Sequence, residues 1–253
     1  AQELTLLPRP AGAPSGSQVV EAVRHLDPAA REAHLVGEIL RGNAPAWSRT
    51  FRPVELRRAR DGVEHTVRVL VAPDYLAVGS AADWFLVPLT PASAQRIADE
   101  TDSSLPTTVV VDAVWQQADV RLGPDSLPPG PEMTTVAWFE RHGRLVRERR
   151  IRSGVPLGSL VAGHKKDVVL TSSLAERPGH VAIYGWHRPT GMPIQPLYSG
   201  HTDDWVDYSH GIRLIHRTGW VDGVEHDVAA LLEDPDRAWL LNDDGAVRPA
   251  RYR

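Results

Sequence analysis

The chain has 253 residues, of which 42% are apolar and 24% are charged, and its formal net charge at pH 7 is -4. This balance is typical of a globular protein and excludes a chain that is disordered throughout. The slightly acidic charge gives no general attraction to nucleic acid, and no run approaches the roughly 18 apolar residues that a membrane-spanning helix needs. We therefore expect no nucleic-acid partner and no membrane span.

The chain contains no cysteine, which excludes disulfides and thiolate metal sites. No charge block or Gly/Ser-rich stretch divides its interior, so we predict a single catalytic-type domain over residues 17–253. Residues 1–16 are rich in proline and glycine and begin with Ala1 rather than methionine, which is typical of a flexible leader left by a trimmed export signal. We therefore expect a secreted or periplasmic protein.

The first half of the chain is predicted to be mainly helical. Cap residues followed by proline mark two helix starts, at Asp27-Pro28 and at Thr90-Pro91. Apolar spacing predicts further helices, and alternation of apolar and polar residues predicts two strands. In chain order, the predicted elements are a helical segment from Ser17, a helix over 29–41, strands over 65–72 and 84–88, a helix from Thr90-Pro91 through Asp99, and helices around 110–118 and over 132–150.

After Gly154 the sequence pattern changes. Short apolar or alternating runs are separated by Gly and Pro turns, which is typical of antiparallel strands. The predicted elements are strands at Val168–Leu170, Val181–Trp186 and Gly211–Ile215, then short helices near Val228–Leu232 and Arg237–Leu241. The predicted fold class is α+β, with N-terminal helices packed on a C-terminal, mostly antiparallel sheet.

Histidines are concentrated in the C-terminal half. Of the 11 in the chain, seven fall between positions 164 and 226, where an even spread would place about three. Imidazole titrates near neutral pH and serves as a proton carrier or a metal ligand, so this group predicts a catalytic site with His164, His187 and His210 as candidates. A chance grouping of surface and core histidines is the alternative.

Two of these positions are informative in detail. With the period of two of a strand, His187 shares a face with Val181 and Ile183, so we expect it to point inward at the end of its strand. Lys165 comes just before a buried strand, where a charged side chain needs an anionic partner or a polar cavity, unless it lies in an exposed turn.

The densest polar stretch covers residues 201–211. Asp207 and His210 would be neighbours on a helical turn, whereas they would face opposite ways on a strand. Together with His201, and with or without His187, they are side chains that zinc or another divalent ion accepts, although no metal-binding motif is present. A hydrogen-bonded corner is the alternative.

Common nucleotide-binding motifs are absent. The chain has neither a GxGxxG sequence after a strand nor a GxxxxGK[ST] loop, so it lacks the usual cradles for dinucleotides and nucleoside triphosphates. The GxSxG motif of nucleophile-elbow hydrolases is missing too. We therefore expect no cofactor, except a divalent metal ion in the metal-binding alternative.

Four C-terminal segments form a distinctive set, namely AGHKKDVV at 162–169, VAIYGWH at 181–187, PIQPL at 193–197 and DYSHG at 207–211. Together they resemble a family of uncharacterised bacterial exported proteins. The resemblance extends back through Pro73–Ala77 and Leu105–Thr107, and thus covers most of the chain.

The order of a helical half followed by histidine-bearing strands is also similar to that of papain-like NlpC-type cell-wall peptidases. This resemblance implies a nucleophile at a helix start, where the helix dipole favours a thiolate, and a base and its orienter on neighbouring strands. It implies a cysteine where this chain has Ser104. Either serine is the nucleophile, or the chain is inactive, or the nucleophile has been replaced; alternatively, Ser103 and Ser104 cap the helix.

The leading hypothesis is an exported hydrolase of amide bonds, acting on peptidoglycan or another peptide. Ser104 is its nucleophile and His187 its base, and His210 or His164 orients that base. The expected partner is a peptide or a cell-wall polymer. Candidate substrate-binding residues are the polar and aromatic side chains of the same segments: Lys165, Tyr184, Trp186, His201, Asp207 and Tyr208.

Two alternatives come from other classes of protein. The first is a metal-dependent hydrolase, in which His201, Asp207 and His210 hold a divalent ion that activates water. The second is a non-enzymatic module that binds a glycan or a peptide on an aromatic platform. The platform residues would be Tyr184, Trp186, Trp205 and Tyr208.

Overall fold

The computed structural model describes residues 2–253, which form six α-helices and fourteen β-strands. The helices are α1 (Gly16–Val23), α2 (Pro28–Leu40), α3 (Pro91–Glu100), α4 (Thr108–Gln117), α5 (Val136–Arg152) and α6 (Val228–Glu233). The strands are β1 (Arg52–Arg60), β2 (Val63–Val71), β3 (Ala77–Gly79), β4 (Trp84–Leu86), β5 (Ser103–Ser104), β6 (Val120–Arg121), β7 (Val161–Ala162), β8 (Lys166–Val168), β9 (His180–His187), β10 (Pro193–Thr202), β11 (His210–Gly211), β12 (Ile215–His216), β13 (Thr218–Val221) and β14 (Val224–Asp227). This mixture of helices and mostly antiparallel sheets confirms the α+β class.

Side-chain caps set the helix starts at the predicted positions. The carboxylate of Asp27 accepts a hydrogen bond from the backbone N–H of Ala30 at 2.9 Å, and helix α2 follows. The hydroxyl of Thr90 accepts from the N–H of Ser93 at 3.2 Å at the start of α3. Both caps satisfy backbone donors that have no partner within the first turn, which explains why these boundaries are readable in the sequence.

The larger sheet has six strands in the order β14-β13-β2-β12-β5, with β1 paired to β2. Strands β1 and β2 form a hairpin in which Arg60 lies opposite Val63. The turn residues Asp61 and Gly62 have φ values of 53° and 80°, the left-handed conformation that a two-residue hairpin turn requires and that glycine adopts without strain.

The two-block order expected from the sequence is only partly followed. Strand β2 lies in the middle of the six-stranded sheet although it belongs to the N-terminal half, so this sheet draws on both halves of the chain. Strand β1 was not predicted, because its exposed positions carry several arginines and Val54 and Leu56 are its buried side chains. A hairpin with one buried face gives this weak apolar signal.

The smaller sheet has four strands in the order β10-β9-β8-β11. Strands β8, β9 and β10 are antiparallel neighbours, whereas β11 runs parallel to β8 and pairs His210 with Lys166. Helix α4 covers one face, where Val111 packs with Val169 and Ala182. Most of the predicted site residues lie on this sheet or on the segments that lead into it.

One cluster of buried apolar residues extends from Leu4 to Tyr252 and includes side chains of both sheets. Residues 2–16, predicted as a flexible leader, lie against this body: the N–H of Leu4 donates to the carbonyl of Arg49 at 2.7 Å, and Arg9 donates to Asn43 at 2.9 Å. This segment therefore packs against the rest of the chain, and Ala1 lies outside the described residues. In the described part of the chain, no helix combines the length and the apolar character needed to cross a membrane.

Candidate functional site

Strand β9 changes direction at its end. Gly185 and Trp186 have φ values of 105° and 55°, and positive φ is a strained conformation for a side chain as large as tryptophan. The two left-handed residues break the alternation of the strand. As a result, His187 lies on the same side as Tyr184, while Trp186 points to the opposite side. The expectation that His187 shares a face with Val181 and Ile183 is therefore wrong, although His187 is buried at the strand end as predicted.

Helix α4 supplies the partner of His187. The imidazole Nε2 lies 2.8 Å from the carboxylate of Asp112, and the hydroxyl of Tyr184 donates to the same carboxylate at 2.9 Å. Since an ionised carboxylate can only accept, Nε2 carries the hydrogen and Nδ1 is left as the basic nitrogen. The side chain of Asp112 is 43% exposed and that of His187 is 3% exposed, so the pair connects the interior with the surface.

A narrow crevice lies beside this pair, lined by His187, Trp115, Tyr75, Asp167 and Arg213 among others. Tyr75 donates its hydroxyl to Asp167 at 2.7 Å, and the guanidinium of Arg213 lies 3.8 Å from the other oxygen of that carboxylate. Burial raises the pKa of Asp167 to about 6, and Arg213 acts in the opposite direction. A carboxyl group with this pKa exchanges its proton near neutral pH.

His164 forms a second buried histidine–aspartate pair. Its Nε2 lies 3.0 Å from a carboxylate oxygen of Asp74, and its ring packs edge-on against Tyr75 at 4.8 Å between ring centroids. Burial raises the pKa of Asp74, but His164 and neighbouring donors outweigh it and leave the pKa lowered overall. The buried carboxylate of Asp74 thus holds His164 in place next to Tyr75, which lines the crevice.

Lys165 lies inside the protein and not in an exposed turn. It is 1% exposed, and its ammonium group donates to the carbonyl of Tyr208. Burial lowers the pKa of Lys165 to about 7, although the charges of Asp207 and Asp74 favour its protonated form. A lysine amine that is partly neutral at physiological pH is a base or a nucleophile, as well as a cation.

The stretch around Asp207 forms a tight turn, which is the turn alternative of the sequence analysis. Ser209 donates its N–H to Asp207 at 2.6 Å, and Nε2 of His210 lies 3.7 Å from the same side chain. Lys166 approaches that carboxylate to 4.0 Å. Burial lowers the pKa of His210 to about 4, so this imidazole is neutral at physiological pH. Neither ring nitrogen of His210 has a hydrogen-bond partner within residues 2–253.

The four rings expected to form an aromatic platform do not share one exposed surface. Trp186 and Tyr208 are buried, while Tyr184 lies on the opposite side of β9 against Asp112. Trp205 instead stacks on His201 at 5.2 Å between ring centroids. The left-handed turn in β9 separates these rings, because it sends Trp186 away from Tyr184.

Ser104 lies in β5, where it pairs with Ile215 of the six-stranded sheet. Its hydroxyl donates to the carbonyl of Leu105 at 3.3 Å. Within residues 2–253, no histidine nitrogen is within hydrogen-bond distance of this hydroxyl. Helix α4 is capped by Thr107, whose side chain accepts from the N–H of Val110, so the alternative that Ser103 or Ser104 caps this helix is wrong.

The proposed metal ligands His201, Asp207 and His210 lie in one region of the molecule. Asp207 and His210 are neighbours, and the charge of Asp207 acts on His201. Across the residues that the structure describes, however, no three His, Asp or Glu side chains are grouped as they would be around a metal ion.

Several residues of this region were not selected from the sequence. Asp112 interrupts the valine-rich run 109–114, and Arg213 interrupts the apolar run 211–215. A charge inside an apolar run needs a buried partner, which is the signal that could have found both residues. His142 of α5 gave no such signal, and its ring lies 5.0 Å from that of Tyr208.

Comparison with protein-family models, with curated proteins and with solved structures gives no match to this chain.

Proposed function

We propose that this chain is an exported hydrolase of amide bonds in peptidoglycan or a related peptide, with His187 as its general base and α4 packed on the histidine-bearing strand as in papain-like enzymes. The observation that carries the proposal is the contact between His187 and Asp112. A carboxylate that fixes one nitrogen of an imidazole leaves the other nitrogen to take a proton. Hydrolytic triads divide the roles in this way, with Nδ1 held by the carboxylate and Nε2 as the base, whereas in His187 the two nitrogens are exchanged.

The backbone before His187 supports this assignment. Two successive residues with positive φ cost of order 1–3 kcal/mol when one of them is not glycine, and such strain concentrates at functional sites. Here the strain places His187 against Asp112. A Cβ atom on Gly185 would lie 3.5 Å from Nδ1 of His187, so glycine leaves space next to the nitrogen that would act as the base.

The nucleophile in this proposal is water, because no side-chain hydroxyl in the described part of the chain bonds to a histidine. Nδ1 of His187 takes a proton from water as the oxygen forms its bond to the amide carbon. The C–N bond then breaks, and the same imidazole returns the proton to the leaving amine. Trp115 stacks on His187 at 5.7 Å between ring centroids and lines this crevice. The crevice has no room for a water molecule, so substrate entry requires lining side chains to move.

The test uses muropeptides, with products identified by mass spectrometry. We expect His187→Gln and Asp112→Asn to lower kcat by about 10²–10⁴-fold, the usual contribution of a positioned base. Asp222→Asn is the matched control, because it breaks another histidine–aspartate contact, at 2.6 Å to His65 in the larger sheet. Full activity of His187→Gln, or no cleavage by the wild-type protein, would refute the proposal.

Ser104 provides a separate test of the nucleophile. With water as the attacking group, Ser104→Ala keeps its kcat. A loss as large as that of His187→Gln, with unchanged stability to urea, would instead assign the attack to the Ser104 hydroxyl and contradict the water mechanism.

A further inference from the structure

A pocket opens at the other end of β9, away from the crevice beside His187. Its walls come from the start of that strand, from the short 3₁₀ turn at Ser172–Ala175 and from the C-terminal segment 247–253. The cavity volume is about 170 Å³. A water molecule occupies roughly 30 Å³ in the liquid, so the pocket has room for a small polyatomic ion or for one group of a larger ligand.

Tyr252 forms the floor of this pocket and is held there by two hydrogen bonds. Tyr252 is buried, its hydroxyl accepts from the N–H of Ala182 at 3.0 Å, and it donates to the carbonyl of Val169 at 2.6 Å. These bonds tie the C-terminal segment to the four-stranded sheet. The pocket is therefore formed before any ligand binds, which lowers the entropic cost of binding.

Positive charge predominates among the side chains that line the pocket. Arg177, Arg248, Arg251 and Arg253 line it with His180, and the acidic side chain among the lining residues is that of Asp203. Arg251 is neutralised by Asp99 at 2.7 Å. The local charge therefore depends on Arg177, Arg248 and Arg253. Of these three, Arg177 and Arg248 donate hydrogen bonds to the main chain.

These two guanidinium groups are held in place by neutral acceptors. Arg248 donates from Nε to the carbonyl of Glu233 at 2.6 Å, and Arg177 donates to the carbonyl of Ser199 at 3.3 Å. Within residues 2–253, no carboxylate oxygen lies within 4 Å of either group. Each arginine therefore keeps its full charge and free N–H donors, and this fork of donors matches the oxygens of a phosphate group.

We infer that this pocket binds a phosphate group, as the free ion or as part of a small ligand, through Arg177 and Arg248. Two guanidinium groups match the double charge of a phosphate better than the single charge of a carboxylate. The site shares no residue with the His187–Asp112 pair, so it stands independently of the proposed hydrolase activity.

The experiment is isothermal titration of the whole chain with inorganic phosphate, and with acetate as the carboxylate probe, at constant ionic strength. We expect one phosphate per chain with a Kd of about 1 mM or tighter. Arg248→Ala and Arg177→Ala should each weaken binding at least about tenfold, and Arg248→Lys should weaken it less, because it keeps the charge but loses the fork. Both arginines are exposed, so the variants are expected to fold normally.

Arg57→Ala is the matched control, since it removes an exposed arginine of β1 that does not line the pocket. Its affinity for phosphate should equal that of the wild-type protein. Three results would overturn the inference: no saturable phosphate binding, equal weakening in the Arg57 control, or acetate binding as tightly as phosphate.

Discussion

The two main sheets share one core but bury different kinds of side chain. In the six-stranded sheet, Val54, Val67, Val69 and Val71 are fully buried and apolar. In the four-stranded sheet and the segments leading into it, Lys165, Asp167, His187 and His210 are buried to a similar degree beside Val168 and Ile183. The buried side chains of the six-stranded sheet therefore form an apolar core, whereas equally buried side chains of the four-stranded sheet form a polar network.

The two kinds of buried side chain have different explanations, stability for the apolar ones and chemical function for the charged ones. Burying a charge costs several kcal/mol in desolvation, and apolar replacements of buried ion pairs are often neutral or stabilising. A network of buried charges is thus poorly explained by stability, whereas perturbed pKa values in a connected group of side chains are typical of functional sites. We therefore place the proposed activity in the four-stranded sheet.

The largest expected effect concerns Arg213, which donates to the carbonyls of Ala72 and Val161 and lies near Asp167. Arg213→Ala leaves that carboxylate buried without its cation, and we expect it to lower the free energy of unfolding by about 3–5 kcal/mol. Urea unfolding monitored by tryptophan fluorescence measures this loss. A change below about 1 kcal/mol would show that the charge of Asp167 is compensated in another way.

The second prediction concerns the pH dependence of stability. The pKa of Lys165 in the folded chain is about 7, below its ordinary value of 10.5. Between these two values the unfolded chain holds a proton that the folded chain has released, so this residue makes the free energy of unfolding rise with pH, by up to about 1.4 kcal/mol per pH unit. Lys165→Met should remove that part of the slope.

Urea unfolding of both proteins at about pH 7.5 and about pH 9.5 measures the slope. Lys166→Met is the matched control, because it removes the neighbouring lysine, whose side chain is 13% exposed. If Lys165→Met and the wild-type protein show the same pH dependence, Lys165 does not release its proton on folding.

The smallest expected effect lies in the six-stranded sheet. Ile215→Val removes one methylene group from a side chain that is 1% exposed, and we expect a loss of about 0.5–1.5 kcal/mol. No charge is involved, so the loss should be the same at both pH values. A loss that changes with pH would contradict the contrast between the two sheets.

The amino-acid sequence by itself determined the local structure. The caps at Asp27 and Thr90, the apolar spacing of α4 and the alternation of β2 and β9 are readable because they depend on neighbours within one or two turns of the chain. The concentration of histidines is a feature of composition, and its interpretation as a catalytic site stays a prediction.

The tertiary structure decided which of these groups meet. Asp112 and His187 are 75 positions apart, and Asp74 and His164 are 90 apart, so no periodicity relates them. The turn that reverses His187 comes from the positive φ values of Gly185 and Trp186, which the two-residue alternation of a strand cannot anticipate. The local sequence pattern determines the direction of side chains along one helix or strand. Contacts between helices and strands depend instead on how the whole chain packs.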